Sequence, residues 1–341
     1  MSVHPRTSST GASGQRGGLF YGWVLVIMLG VTQTITWGIL YYGFTVMLPV
    51  LESEQGWTRG QQSGAFSLAI LLSGIFAAPA GRWLDERGPR LLMTAGSVVA
   101  TGLLVALSQV QTLTQFYVVW ALIGVVMSAV LYEPAFAVVT AWFERKRTRA
   151  ITSVTLVAGF ASTVFMPVEN WLIELQGWRM ALITLAGFLA LTTIPAHALM
   201  LRRRPEDMGL HVDGERPAPR SGAAATASPA TAKRPPVSVA AAMREPAFRW
   251  LAIGFALATV TNIAIGVHLV AYLLDRQFDA TFAATATGMV GAMQVAGRVV
   301  LMVLGDRGSF RKNSAIVLAI QPVSILVLLL VPGAVGVLAF V

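Results

Sequence analysis

The sequence predicts an all-α integral membrane protein, and three observations predict it. Only 12% of the 341 residues are charged while 55% are hydrophobic, against roughly 25% charged in a soluble domain. Uncharged runs at 17–51, 60–81, 91–132, 150–168, 180–201, 250–274, 280–297 and 313–341 each approach or exceed the ~18–20 residues that cross a bilayer. The apolarity is continuous rather than alternating. That selects helices over barrel strands, the two structures that bond every backbone polar group inside hydrocarbon.

Residues 1–19 read as a cytoplasmic tail. The first run is too long for a cleaved signal peptide and lacks a cleavage site, so it is a retained span near 20–50. The second span covers 61–81. The 91–132 run is split by the polar stretch SQVQTLTQ (108–115) into spans at 91–109 and 113–142. Spans at 149–174 and 179–201 complete an N-terminal six-helix half over 20–201. Residues 202–248 are rich in Ala, Pro, Ser and Arg, with SGAAATASPATAKRPP at the centre. Such a segment buries too little apolar surface to order itself and is expected to be a disordered cytoplasmic linker. Residues 249–341 then hold spans at 249–274, 280–304 and 312–330. A tenth starts after the helix stop Val331-Pro332-Gly333.

With the N-terminus in the cytoplasm, all but Arg59, Arg179 and Arg276 of the 25 Lys and Arg fall on the inner side, as the positive-inside rule requires. The net charge of +9 is thus divided among short loops and one linker, which removes a nucleic-acid reading. Arg exceeds Lys 22 to 3, a bias that points to a GC-rich bacterial genome and hence to the inner (cytoplasmic) membrane. No cysteine is present, so disulfides, thiolate metal sites and thiol catalysis are excluded. The four His are scattered without metal-ligand spacing, and no phosphate-binding loop or nucleophile elbow occurs. No enzyme activity, metal or cofactor is expected.

Two charged hinges repeat. Asp85-Glu86-Arg87-Gly88-Pro89-Arg90 and Asp306-Arg307-Gly308-Ser309-Phe310-Arg311 both place Asp and Arg five apart, at the inner ends of the second and eighth spans. Leu51-Glu52 and Leu274-Asp275 match at nearly the same offset. A six-helix unit therefore occurs twice in one orientation, which implies a substrate site between the halves and alternating access. GRWLDERGPR (81–90) resembles the loop motif of the major facilitator superfamily through Gly81, Asp85, Gly88 and Arg90, while Glu86 and Pro89 depart from it. YGWVLV (21–26), LYEPAFAVVTAWFERKRTRA (131–150), GWRMAL (177–182), RRPEDMGLHVDG (203–214) and GRVVLMVLGDR (297–307) resemble its monocarboxylate transporter and oxalate/formate antiporter branch. The resemblance implies two parallel six-helix halves, the C-terminal one incomplete in this chain, so that the 341-residue chain alone is expected not to transport. It implies a monomer whose partners are the bilayer, a small organic anion, and a proton or counter-anion. Gly81, Asp85, Arg87, Gly88, Arg90, Asp306, Arg307 and Arg311 would gate the inner mouth by pairing across it, beside the plainer role of positive-inside anchors.

An ionisable side chain at depth costs ~2.5–3.5 kcal/mol on insertion scales and is a functional hypothesis by default. Arg298 lies about 10 Å in from the inner helix end; its guanidinium can clamp a carboxylate or snorkel to the surface. In the resembling transporters an eighth-span Arg is the substrate's counter-ion. Where the monocarboxylate transporters carry a proton-coupling Asp one turn earlier, this chain has Gln294, which cannot carry a proton as a carboxylate does. Glu133 lies near the midplane, followed by Pro134. It reads as a proton carrier in coupling or as a structural acceptor. Glu169, nearer the outer end of the fifth span, reads as solvated or structural. Gln33, Trp37 and Tyr41 recur every four residues and share one face. With Asn262 of the seventh span they are substrate contacts or interhelical packing. His268 reads as a satisfied interior imidazole or a pH switch. The expected function is secondary transport of a mono- or dicarboxylate. The alternatives are a drug or neutral-metabolite exporter of the same fold and, from another class, a non-transporting membrane sensor or scaffold.

Overall fold

A computed structural model of the chain describes residues 20–214, 239–278, 280–305 and 310–341. The 1–19 tail, the linker centre at 215–238, Asp306 and Arg307 lie outside the described residues. Among the described residues every regular element is helical. The helices are α1 (Tyr21–Trp37), α2 (Gly43–Gln55), α3 (Arg59–Arg87), α4 (Pro89–Ser108), α5 (Leu113–Val130), α6 (Tyr132–Trp142), α7 (Arg147–Ala158), α8 (Ala161–Pro195), α9 (Val239–Arg244), α10 (Pro246–Asp275), α11 (Ala280–Gly305), α12 (Phe310–Leu330) and α13 (Gly333–Phe340). A π-helical turn, Gly38–Tyr42, joins α1 to α2, so the first span is one continuous rod. A second π turn, Ala196–Met200, ends the sixth span.

Seven helical stretches are long and apolar enough to cross a membrane among the described residues. One of them, Arg147–Met200, is 54 residues long, roughly 80 Å and so far beyond a ~30 Å hydrocarbon core. Gly177 breaks it (φ 75, ψ 156) and turns the chain back across the membrane. Six crossings therefore precede residue 202. The fourth span is also not one helix: it breaks at Leu131 (φ −84, ψ −153) between α5 and α6.

Local chemistry explains the ends. Gly88 stops α3 at φ 83, ψ 171, a conformation that needs glycine, and Pro89 starts α4 at the position where a missing N–H is harmless. Thr58 with Gln61 and Thr112 with Gln115 form reciprocal capping boxes at the outer ends of α3 and α5. Arg179 donates to the carbonyls of Ser108 (2.6 Å) and Val110 (3.0 Å), closing the end of α4 with a cation where the helix dipole favours one.

Among the described residues the core of the first half has two layers, and a smaller cluster of Leu269, Leu273, Ala286 and Val337 lies in the second half. The outer layer is aromatic, centred on Phe44, Phe116, Trp120 and Trp178. The inner layer gathers Leu25, Leu29, Trp142, Phe143 and Leu201. α3 meets α5 closely because Gly124 lies against the Ala69 backbone, where any Cβ would collide. Exposed Leu71, Ile75, Trp171 and Leu191 turn outward, the polarity a lipid solvent demands.

The expected disorder of 202–248 is corrected at its start. Residues 202–214 wrap the face of the bundle that carries the α3–α4 and α6–α7 turns. Arg203 donates to the Asp85 carbonyl, and its chain packs against Gly88. Asp213, 7% exposed and in the left-handed region (φ 60), accepts the amides of Arg145 (2.8 Å), Glu144 (3.2 Å) and Lys146 (3.2 Å). Three fixed donors give one short acid enough binding to order a segment whose composition predicts none. At the other end, α9 and the start of α10 are helical from residue 239.

Burial alone would raise the Asp213 carboxyl, but the amides of Arg145, Lys146 and Glu144 and the Lys146 charge hold it below the usual aspartate range. Its contribution is therefore complete above the unfolded value of about 3.9 and fades as pH falls through the lower folded value. Asp213→Asn is expected to lower stability by about 1–3 kcal/mol at neutral pH. The gap to the parent chain should close as the melt is repeated at decreasing pH.

Candidate functional site

The site starts from a proline. Pro134 has no amide to give to the carbonyl four residues back, Val130. The helix breaks there, and Gln33 of α1 donates its Nε2 to that carbonyl at 2.8 Å. Gln33 is 0% exposed. Of the two readings of Gln33, substrate contact or interhelical bond, this geometry supports the second: Nε2 is committed to a backbone group that would otherwise stand unpaired in hydrocarbon, while Oε1 makes no hydrogen bond.

The restart of the helix at Tyr132 sets an aromatic wall. The Tyr132 ring lies 4.8 Å from Trp37 and stacks on Phe136 at 4.9 Å, with 9° between the planes. Trp37 continues to Tyr41 (5.0 Å), and Tyr41 meets Tyr42 (5.2 Å) and Phe66 (5.2 Å). Trp37 and Tyr41 are half-buried, and the Trp37 indole N–H makes no hydrogen bond. Tyr42, Tyr132 and Phe136 were not among the expected site residues. The proline break and the Tyr41-Tyr42 pair were the available signals.

Arg298 of α11 closes this wall from the other half. Its charge acts on the hydroxyls of Tyr42 and Tyr132, and its Nη1 donates to the Thr155 carbonyl at 2.7 Å. Thr155 lies in the last turn of α7, where carbonyls carry the negative end of the helix dipole. Gly159 gives the guanidinium room, since a Cβ there would stand 3.0 Å from Nη1. Among the described residues Arg298 has no acidic partner. The half-buried cation is held by a carbonyl within electrostatic reach of two tyrosines, an arrangement that can accept an anion.

Other expected residues lie apart. Gln294 and Asn262 are exposed on α11 and α10 and make no hydrogen bond. Glu133, expected as a proton carrier or a structural acceptor, is exposed in the first turn of α6 rather than buried. An acid in that turn is favoured by the helix dipole and needs no further partner. The buried acid is Glu169, 2% exposed, which the sequence had suggested to be solvated or structural. At the inner mouth, Gly81, Asp85, Arg87 and Arg90 are exposed. Arg87 lies over the Trp83 ring at 4.4 Å, and the Asp85 backbone carbonyl receives Arg203. Among the described residues Asp85, Arg87 and Arg90 make no ion pair. Arg311 lies in the first turn of α12.

The profile of the major facilitator superfamily matches residues 21–341. Among curated proteins, Monocarboxylate transporter 13 of Bos taurus is 26% identical over 289 residues, 84% of this chain and 62% of the relative. Monocarboxylate transporter 11 of Homo sapiens is 27% identical over 291 residues, with 84% and 57% covered. Agnestins efflux protein AgnL12 of Paecilomyces divaricatus is 24% identical over 291 residues, with 84% and 59% covered. The chain spans about three-fifths of the length of the curated relatives it matches.

Gln33→Leu leaves the Val130 carbonyl without a donor. It is expected to destabilise the bundle by about 1–3 kcal/mol, read as a lower thermal midpoint in detergent. Pro134→Ala in the same background gives that carbonyl a helical donor and should recover part of the loss.

Proposed function

The chain belongs to the major facilitator superfamily, and on that premise we propose that it is a secondary active transporter of a small organic anion, a mono- or dicarboxylate, working by alternating access. The observation that carries the anion reading is Arg298: a cation without an acidic partner among the described residues, bonded to a single carbonyl and within electrostatic reach of Tyr42 and Tyr132. A guanidinium has five N–H donors in a planar fork that matches a carboxylate. The Thr155 carbonyl engages one nitrogen, and an arriving carboxylate would find the others. The similarity to monocarboxylate transporters supports this reading.

In this proposal the six-helix half at 20–201 and the second half from 249 rock about the Arg298 site. Trp37 and Tyr41 line the anion's path, with Gln294 and Asn262 facing it in another phase of the cycle. The hinges at Gly81–Arg90 and Asp306–Arg311 seal the inner mouth, and a proton or counter-anion completes the cycle. The protein sits as a monomer in a bacterial inner membrane with its N-terminus in the cytoplasm. A second reading, export of a drug-like or neutral aromatic compound, is favoured by the Trp37–Tyr41–Tyr132–Phe136 wall and by the similarity to an efflux protein.

Binding raises apparent stability by mass action, about 2.7 kcal/mol at a hundredfold excess over Kd. Thermal stabilisation of the purified chain by a panel of mono- and dicarboxylates is expected, absent in Arg298→Gln and reduced in Arg298→Lys, which lacks the fork. Stabilisation by aromatic neutral or cationic compounds, with none from carboxylates, would instead establish the export reading.

A further inference from the structure

Glu169 is the one strongly buried acid in the membrane-spanning part of the described structure, and nothing in the anion site uses it. Both carboxylate oxygens are shut from solvent and make no hydrogen bond. The group is held against the first span at Gly43, where a Cβ would stand 2.9 Å from either oxygen. Beside it lies an internal cavity of ≈ 20 Å³, room for one water. The rest of the wall is largely apolar, with Phe44, Met47 and Leu104 prominent, and includes Trp120, whose indole N–H makes no hydrogen bond. The Trp178 indole N–H at its edge is already donated to Glu54 at 2.8 Å.

The titratable groups on the elements packed around Glu169 can be named in full. They are Tyr21 on α1, Tyr41 and Tyr42 in the π turn, Glu52 and Glu54 on α2, Arg90 on α4, Tyr117 on α5, and Arg298 on α11. On its own helix stand Glu174 and Arg179, and His197 lies in the π turn beyond. None bonds to it. Arg179 is spent on Ser108 and Val110, Glu174 accepts from Asn170, and Arg298 is on Thr155, well over a helical turn away along the fifth span. An ionised carboxylate here would lose its hydration with no cation in return and only the unpartnered Trp120 indole N–H beside the cavity as a donor, a cost of several kcal/mol. A metal cation would need several more oxygen ligands, and this wall offers none. The neutral acid is the form the pocket accommodates.

We propose that Glu169 is a proton-binding site, loaded at neutral pH, at which the single cavity water delivers and removes the proton. Its placement gives it a use. Gly43, which it touches, directly follows Tyr42, and Tyr42 lies within electrostatic reach of Arg298, so a movement of the first span that exposes Glu169 also changes the surroundings of the anion site. That coupling rests on the transport reading; the proton site itself does not.

The test is infrared difference spectroscopy of the full chain in lipid vesicles, comparing neutral with alkaline pH. The carbonyl band of a protonated carboxylic acid is expected at neutral pH and lost in alkali. It should be missing in Glu169→Gln and kept in Glu133→Gln. It should also persist in Arg298→Gln, which separates loss of anion recognition from loss of the proton site. Gly43→Ala, which crowds the carboxyl without removing it, should shift the pH at which the band disappears, and serves if Glu169→Gln does not fold. No band at neutral pH, the same band in Glu169→Gln, or an unmoved titration in Gly43→Ala overturns the proposal.

Discussion

The centre of the bundle depends on one carbonyl that has lost its donor. In water the break at Pro134 would cost little, because solvent would bond the Val130 oxygen. In hydrocarbon the only remedy is another protein group, and Gln33 supplies it at 2.8 Å. That bond ties the first span to the fourth at mid-depth. It also fixes where α6 restarts, and so places the Tyr132 ring against Trp37. The aromatic wall facing Arg298 follows from a backbone debt settled by a glutamine.

Arg298 itself is settled by an arrangement that can be undone. A buried guanidinium paired with a fixed carboxylate would be expensive to separate. Here it rests on a helix-terminal carbonyl of the other half, which holds a cation only modestly. The partner keeps the charge satisfied within the membrane, and in the proposed cycle it is weak enough to give way to an anion. Residues 202–214 act at the inner face in a different manner, for Asp213 grips three successive amides of the loop between α6 and α7. One contact is exchangeable and the other permanent, and the difference is the number of donors each acceptor meets.

Much of the architecture was legible because membrane helices announce themselves by length and charge. Gly88-Pro89 marked a stop and a start, and the polar stretch at 108–115 marked a turn that Thr112 and Gln115 cap. Periodicity placed Gln33, Trp37 and Tyr41 on one face, and the structure keeps the two aromatic residues together. Their roles were not legible. Gln33 answers a proline about a hundred residues away, which no local pattern reveals. The two acids were ranked by depth along the helix, whereas burial follows from rotation about it. Glu133 is exposed, and Glu169 turns toward a glycine that lets it in. The segment 203–214 was averaged into a linker by composition, because the amides that order it come from a distant loop.

The π turn at Gly38–Tyr42 acts as a gear tooth. It holds one residue more than the regular helix would, and its two bounding glycines meet Phe165 and Glu169 of α8. Each residue turns a helix by about 100°. A chain shortened by one residue here would keep its composition, hydropathy and span length, yet everything beyond Gly43 would be rotated by more than a quarter-circle. Phe44 would leave Trp120, and a bulkier neighbour would swing toward the Glu169 carboxyl. The outer third of the first span is thus set in phase by a single inserted residue, which makes this short stretch far less tolerant of length change than of substitution.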